Sequence, residues 1–148
     1  MRMEEKYLIF TVGEKYYALP SRIIGEVAAL EEVFPLPLVF GYVRGIINRY
    51  SVPYALVDIR HDVSENALKA ASKVIVLKEE VDKLALLIND VVDFADTPSE
   101  NLMEIEPEES SLAGSVSAFF EWKGKSVFCL KIEELISRIR QDFAGQES

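Results

Sequence analysis

Apolar residues recur along the chain in short runs separated by glycine, proline and charged turns, a rhythm that predicts strands for most of its length. In Tyr7–Val12 the residues Tyr7, Ile9 and Thr11 face one way and Leu8, Phe10 and Val12 the other. Gly13-Glu14 makes a turn and Lys15–Leu19 returns, which predicts a hairpin. Both faces of this pair are rather apolar, so a closed or two-layer arrangement is expected rather than a sheet with one wet side. Ser21, after Pro20, either caps a single helical turn or lies in a loop. Ile24, Val27 and Ala28 suit a further strand that breaks near Glu31-Glu32. Pro35-Leu36-Pro37-Leu38 does not suit a central strand, because proline lacks the ladder donor, and Val39–Val43 reads as an apolar loop.

The stretch Gly41–Arg60 lies at the centre of this pattern. Gly45-Ile46-Ile47 reads as a strand, Asn48-Arg49-Tyr50-Ser51 as an exposed corner carrying Arg49 and Tyr50, and Tyr54–Ile59 as the return strand. His61–Ala71 begins polar and reads as a crossover within one body. Lys73–Lys78 and Leu84–Ile88 form a second apolar pair reversing through Glu79–Lys83. Asn89-Asp90 interrupts, after which Val91–Phe94 continues the sheet past a bend. Asp96–Ser111, acidic and containing Pro98 and Pro107, reads as a solvated connection anchored by Leu102, Met103 and Ile105. Gly114–Trp122 and Lys125–Leu130 form the last hairpin around Lys123-Gly124.

From Ile132 the period changes. Ile132, Leu135, Ile136, Ile139 and Phe143 form one apolar stripe, with Lys131, Glu134, Arg138 and Asp142 left wet, which predicts a helix over about residues 131–143 with Gly145 as its stop. Such a stripe covers a barrel opening or a sheet edge, or receives a partner. No repeat is strong enough to establish duplication. Two strand-rich halves followed by one helix favour a small double barrel over a nucleotide-binding alternating fold.

Composition narrows the function. The chain has 148 residues, enough to bury a real core, and 49% are hydrophobic against 28% charged, an ordinary globular balance. No apolar run reaches the length of about 18 that a membrane span needs. Met1 is followed at once by charged residues, which predicts a cytoplasmic location. The net charge of −9 opposes nonspecific attraction to nucleic acid or anionic lipid. The single cysteine, Cys129, lies in an apolar run and reads as a buried small hydrophobe.

Chemistry is sparse. His61 is the one histidine, so no zinc set is expected, and Asp58, Asp90, Asp93 and Asp96 match neither a calcium loop nor a catalytic pair. The serines lack a nucleophile elbow, and Gly41-x-x-x-Gly45 fits no phosphate or dinucleotide loop. Neither a cofactor nor a metal is expected. The acidic tract Glu100–Glu109 reads as solvated surface, while Tyr42, Tyr50, Tyr54 and Trp122 have the amphipathic rings that anchor interfaces, Tyr54 reading equally as core.

The ordered signals resemble the CheW family of bacterial chemotaxis coupling proteins and the related regulatory domain at the end of the CheA histidine kinase. The resemblance runs from about Lys6 to Ile136. It is carried by Tyr7–Gly13, Tyr17-Ala18-Leu19-Pro20, Ile24-Gly25-Glu26-Val27, Pro37, Tyr42-Val43-Arg44-Gly45-Ile46-Ile47-Asn48 and Val57-Asp58-Ile59. Val74-Ile75-Val76, Leu86-Leu87-Ile88, Val91, Gly114 and Leu130–Ile136 complete it, in common order and spacing. The resemblance implies a single mostly β domain over residues 1–148: two interlocked five-stranded SH3-like β-barrels, an approximate crossover at 61–72 and a C-terminal α-helix.

It also implies a noncatalytic adaptor, peripheral to membrane receptor arrays through its partners. These are the cytoplasmic tip of a chemoreceptor, the barrel domain of a CheA-like kinase and other CheW-like domains, with no nucleic acid and no direct membrane insertion. Lacking a kinase or receiver segment in these residues, the chain looks like a stand-alone coupling module. Asn48, Arg49, Tyr50 and Ser51 are expected near the receptor-facing corner, with Val39, Tyr42, Val43 and Arg44 around it; no residues are assigned to the kinase. Where the family has N-L-R-G, this chain has Asn48-Arg49-Tyr50-Ser51, so Tyr50 stands at the arginine position. Ala55 stands for a usual proline, Ala85 and Asn89 for a Gly and an Asp, and Lys131 for an Asp before Ile132. These departures bear on partner contacts more than on fold, and fit a specialised or weakened coupler. The competing expectations are a partner-binding paralogue in another pathway, an enzyme built from scattered acids and serines, and a strand-rich nucleic-acid module.

Overall fold

The computed structural model describes residues 4–35, 43–59, 73–98, 101–104 and 116–146. β1 (Glu4–Val12) and β2 (Lys15–Pro20) form the first hairpin, with Gly13 at φ 63° in its two-residue turn. A single 3-10 turn, Ser21–Ile23, follows; Pro20 occupies its N-cap, so Ser21 opens the turn and does not cap it. Next come β3 (Ile24–Ala29), β4 (Val43–Arg49), β5 (Val52–Val57), β6 (Lys73–Leu77) and β7 (Leu84–Ile88). β8 (Asp90–Pro98), β9 (Met103–Glu104), β10 (Val116–Trp122) and β11 (Lys125–Leu130) lead to the helix α1 (Ile132–Gln146).

The strands make two sheets, of order β8-β1-β2-β11-β10-β9 and β3-β6-β7-β5-β4. Neighbours are antiparallel except β2 with β11 and β5 with β7, one parallel pair in each sheet. The expected mostly β architecture with a C-terminal helix is present, and the sixth strand of the first sheet is the two-residue β9.

The order of the strands corrects one local reading. β5 and β6, on either side of residues 61–72, lie in the same sheet with β7 between them, and the chain changes sheets at Pro20–Ile24 and at Asn89–Asp90. Val91–Phe94 does not prolong the sheet of β7. It pairs with β1, Leu8 opposite Phe94 and Tyr7 opposite Ala95, and this partner carries the strand on to Pro98. Asp96 and Thr97, read as solvated connection, are therefore strand residues, and Thr97 is buried. Residues 99–100 and 105–111 of that connection, residues 112–115 after it, and the crossover at 61–72 lie outside the described residues.

Alternation explains why both faces of each sheet are apolar. From β1, Leu8, Phe10 and Val12 enter a central core, whereas Tyr7 and Ile9 enter a cluster with Ala18, Phe120, Val127 and Cys129. From β7, Leu84, Leu86 and Ile88 point to the same central core while Ala85 and Leu87 join Ile47, Tyr54, Leu56, Val74 and Val76. The central core thus draws on both sheets and on the helix, which fastens the two sheets into one unit. Ile132, Leu135 and Ile139 of α1 are buried there and Ile136 packs at its margin. The side chain of Phe143 lies outside the described residues. The helix runs through Gly145 instead of stopping at it, since glycine in a final turn costs only about 1 kcal/mol.

Candidate functional site

β4 and β5 pair from Val43 opposite Val57 to Arg49 opposite Val52, leaving Tyr50 and Ser51 as a two-residue turn. Both have positive φ, 52° and 67°, the backbone of a primed hairpin turn that follows the right-handed twist of its strands. Asn-Gly or Asp-Gly ordinarily fill such turns; here neither residue is glycine. Tyr50 is 85% exposed, the most open large hydrophobic residue among those described, and Asn48 and Ser51 are exposed beside it.

Arg49 is turned back on the protein. Its Nε donates to Oε1 of Glu26 at 2.9 Å, and its guanidinium carbon stands 5.5 Å from the centre of the Tyr50 ring. The hydrogen bond to Glu26 raises the arginine pKa further above its ordinary value. Glu26 lies on β3 and Arg49 on β4, the two edge strands of the second sheet. Phe34 reinforces the same closure: its N–H donates to the Ile46 carbonyl at 2.8 Å, and Ile46 N–H donates to the Phe34 carbonyl at 2.8 Å. The side-chain pair joins the two edge strands, while the backbone bonds from Phe34, beyond the end of β3, satisfy Ile46 on the β4 edge that would otherwise stand open.

The base of the corner depends on Gly45. The register slips between Val43 and Gly45, so Arg44 is the extra residue of a bulge. Gly45 has φ 145°, and a Cβ there would lie 2.4 Å from the Phe34 carbonyl oxygen. The bulged Arg44 aims inward, its Nη2 lying 3.3 Å from Oδ2 of Asp58, whose side chain is fully buried. Val43 is buried as well. These two expected contact residues therefore support the corner from beneath, while Val39 and Tyr42 lie outside the described residues.

A cleft of about 180 Å³ runs along the corner, lined by Glu31, Glu32, Phe34, Asn48 and Arg49 among others. Phe34 is 44% exposed there. Neither Phe34 nor Glu26 was singled out from sequence. Glu26 is 23 positions from Arg49, and no local period connects them.

The chemistry elsewhere is structural. Among the described residues no three His, Cys, Asp or Glu side chains gather to hold a metal. Burial pushes the Cys129 thiol up to about 12, out of the range of reactive thiols. No helix among the described residues is long and apolar enough to cross a membrane.

The CheW-like domain family matches residues 6–140. The chain belongs to the CheW-like family. Among solved structures, this CheW-like chain is similar to the crystal structure of scaffolding protein TtCheW from Thermoanaerobacter tengcongensis. The two are 18% identical with a TM-score of 0.71, covering 88% of this chain and 86% of that one. At that identity the likeness establishes a CheW-like fold. No curated protein matches the chain.

Within the CheW-like fold the positions that depart from the family pattern have definite local settings. The N–H of Ala55 donates to the Lys83 carbonyl at 3.1 Å, a bond that a proline at this position lacks the hydrogen to make. Asn89 sits where the chain leaves one sheet for the other; its Oδ1 accepts from Gly13 N–H at 2.6 Å and its own N–H donates to Thr11 at 2.9 Å. It ties the change of sheet to the first hairpin turn. Ala85 is fully buried, and the Lys131 carbonyl accepts from the N–H groups of Glu134 and Leu135 at 3.1 Å each, opening α1.

Proposed function

We propose that this chain is a noncatalytic chemotaxis adaptor that couples chemoreceptor cytoplasmic tips to the regulatory domain of a CheA-like histidine kinase and supports array or ring assembly. It works in the cytoplasm, held near the membrane by its partners. Family membership supports the adaptor role, and the observation that carries the docking site is the Asn48–Ser51 corner. There an aromatic side chain stands almost wholly in water at the tip of a hairpin whose base is fastened by buried groups. Exposed aromatics on rigid supports are what protein interfaces most often use as anchors.

Titration of the folded chain with the cognate receptor tip and with the kinase barrel domain tests this. Binding to either supports coupling; no complex with either, from folded protein, rejects it. Tyr50→Ala is expected to weaken the receptor-tip complex by about 1–2 kcal/mol, roughly tenfold, with the unfolding midpoint unchanged. Unchanged affinity removes Tyr50 from the interface.

A second reading is favoured by the corner itself, which carries Tyr50 and Ser51 where the family pattern has Arg and Gly. In this reading the chain fills positions in a ring without controlling kinase activity. A reconstituted kinase assay separates the two, since binding without receptor-dependent control belongs to the ring component alone.

A further inference from the structure

We infer that Arg49 is a positioning residue that fixes Tyr50 as a rigid aromatic finger, and that the partner at this corner receives the ring in an apolar socket instead of reading the arginine's charge. The inference rests on the docking role proposed for the corner and adds which chemistry the docking uses.

The charge of Arg49 is already answered within the protein. Its Nε is engaged by Glu26 at 2.9 Å and its side chain is only 20% exposed. A partner carboxylate would have to compete with this ion pair for a guanidinium held against the sheet. The tyrosine has the opposite character, with 85% of its surface open. The guanidinium lies 5.5 Å from its ring, within the reach of a cation–π contact, and thus limits the directions the ring can take.

The backbone acts in the same sense. Tyr50 at φ 52° and Ser51 at φ 67° occupy a small region of allowed conformation, reached because Arg49 and Val52 close the ladder immediately below. A tyrosine has few rotatable bonds, so a ring fixed at both its base and its side loses little entropy on docking. Phe34, 44% open, lines a cleft it shares with Glu31, Glu32, Asn48 and Arg49, so the ring of Tyr50 is the principal apolar group that the corner presents. Glu26 thereby influences the finger through Arg49 without touching a partner.

A double-mutant cycle on the full chain, with the cognate receptor-tip fragment as probe, tests the inference. Tyr50→Ala is expected to lower affinity about tenfold, and Arg49→Ala and Glu26→Gln a few-fold each. Combined with Tyr50→Ala, neither is expected to cost anything further, because each acts through the ring. Affinity should change little between low and high salt. An Arg49→Ala penalty that persists in the Tyr50→Ala background, or a steep salt dependence, shows direct reading of the charge and overturns the inference.

Amide hydrogen exchange and backbone order at Tyr50 and Ser51 in the free protein give a readout that needs no partner. Arg49→Ala should loosen both residues, and Arg49→Lys, which keeps the charge but not the planar fork, should loosen them in part. Unchanged order in both variants overturns the positioning role even where binding persists. If Tyr50→Ala binds normally while order does change with Arg49, the corner's docking role and the socket fail but the positioning role stands. Should Arg49→Ala fail to fold, Arg49→Lys and Glu26→Gln carry the comparison.

Discussion

Ser51, at φ 67° on the tip of the β4–β5 hairpin, occupies a conformation that glycine adopts freely and serine does not. Ser51→Gly is therefore expected to stabilise the protein by about 0.5–1 kcal/mol, the relief of strain being partly offset by the greater freedom of glycine in the unfolded chain. Chemical denaturation measures this, and an unchanged or lower midpoint contradicts the strain. The last hairpin uses the same geometry with Lys123 at φ 49° and Gly124 at φ 78°, where glycine made the turn legible. At Tyr50-Ser51 the two apolar runs announced a reversal, but neither residue type indicated which turn it was. The pairing of Arg49 with Glu26 was illegible for another reason: a contact across a sheet's closure leaves no mark on local spacing.

At the level of elements, the apolar runs within β1, β6, β7 and β11 reported correctly that these strands exist, because each sends side chains into cores on both of its faces. They were silent on which sheet β8 joins. That choice is made by β1, some 80 positions earlier, and no pattern within β8 encodes it. Gly45→Ala tests how the corner is held at its base. The added carbon meets a backbone oxygen that cannot swing aside, and φ 145° disfavours any side chain, so a loss of about 2–4 kcal/mol is expected. Retained stability means that the Phe34 segment is not held tightly against β4. On α1, Leu135→Ala is expected to cost about 3 kcal/mol by leaving a cavity in the central core. Ile136→Asp should cost less, because its side chain sits at the core margin with water beside it. Equal losses from the two would contradict the depth assigned to the helix stripe.

For the molecule as a whole, the buried acids without charge set the response to alkali. Burial raises Cys129 from 9.0 to about 12 and Tyr7 from 10.0 to about 12. Both hold in the folded state protons that the unfolded chain releases, so their contribution is complete below about pH 9 and declines as pH rises towards 12. Each unit of difference corresponds to about 1.4 kcal/mol before any relaxation. Denaturant midpoints should fall progressively above about pH 9, and Cys129→Ala should flatten the first part of that fall. A midpoint constant to about pH 11 rules out the burial of both groups.

The first sheet is assembled from the two extremes of the described chain, whereas the second is assembled from an unbroken middle stretch, β3 to β7. As the chain leaves the ribosome, the middle sheet can complete itself while β1 and β2 wait for neighbours still unsynthesised. β1 has no β8 until Pro98 has emerged, and β2 has no β11 until Leu130 has done so. The nascent chain therefore carries a sticky, two-faced apolar hairpin from the synthesis of β2 until β11 has emerged, and that strand is the one that ends the exposure.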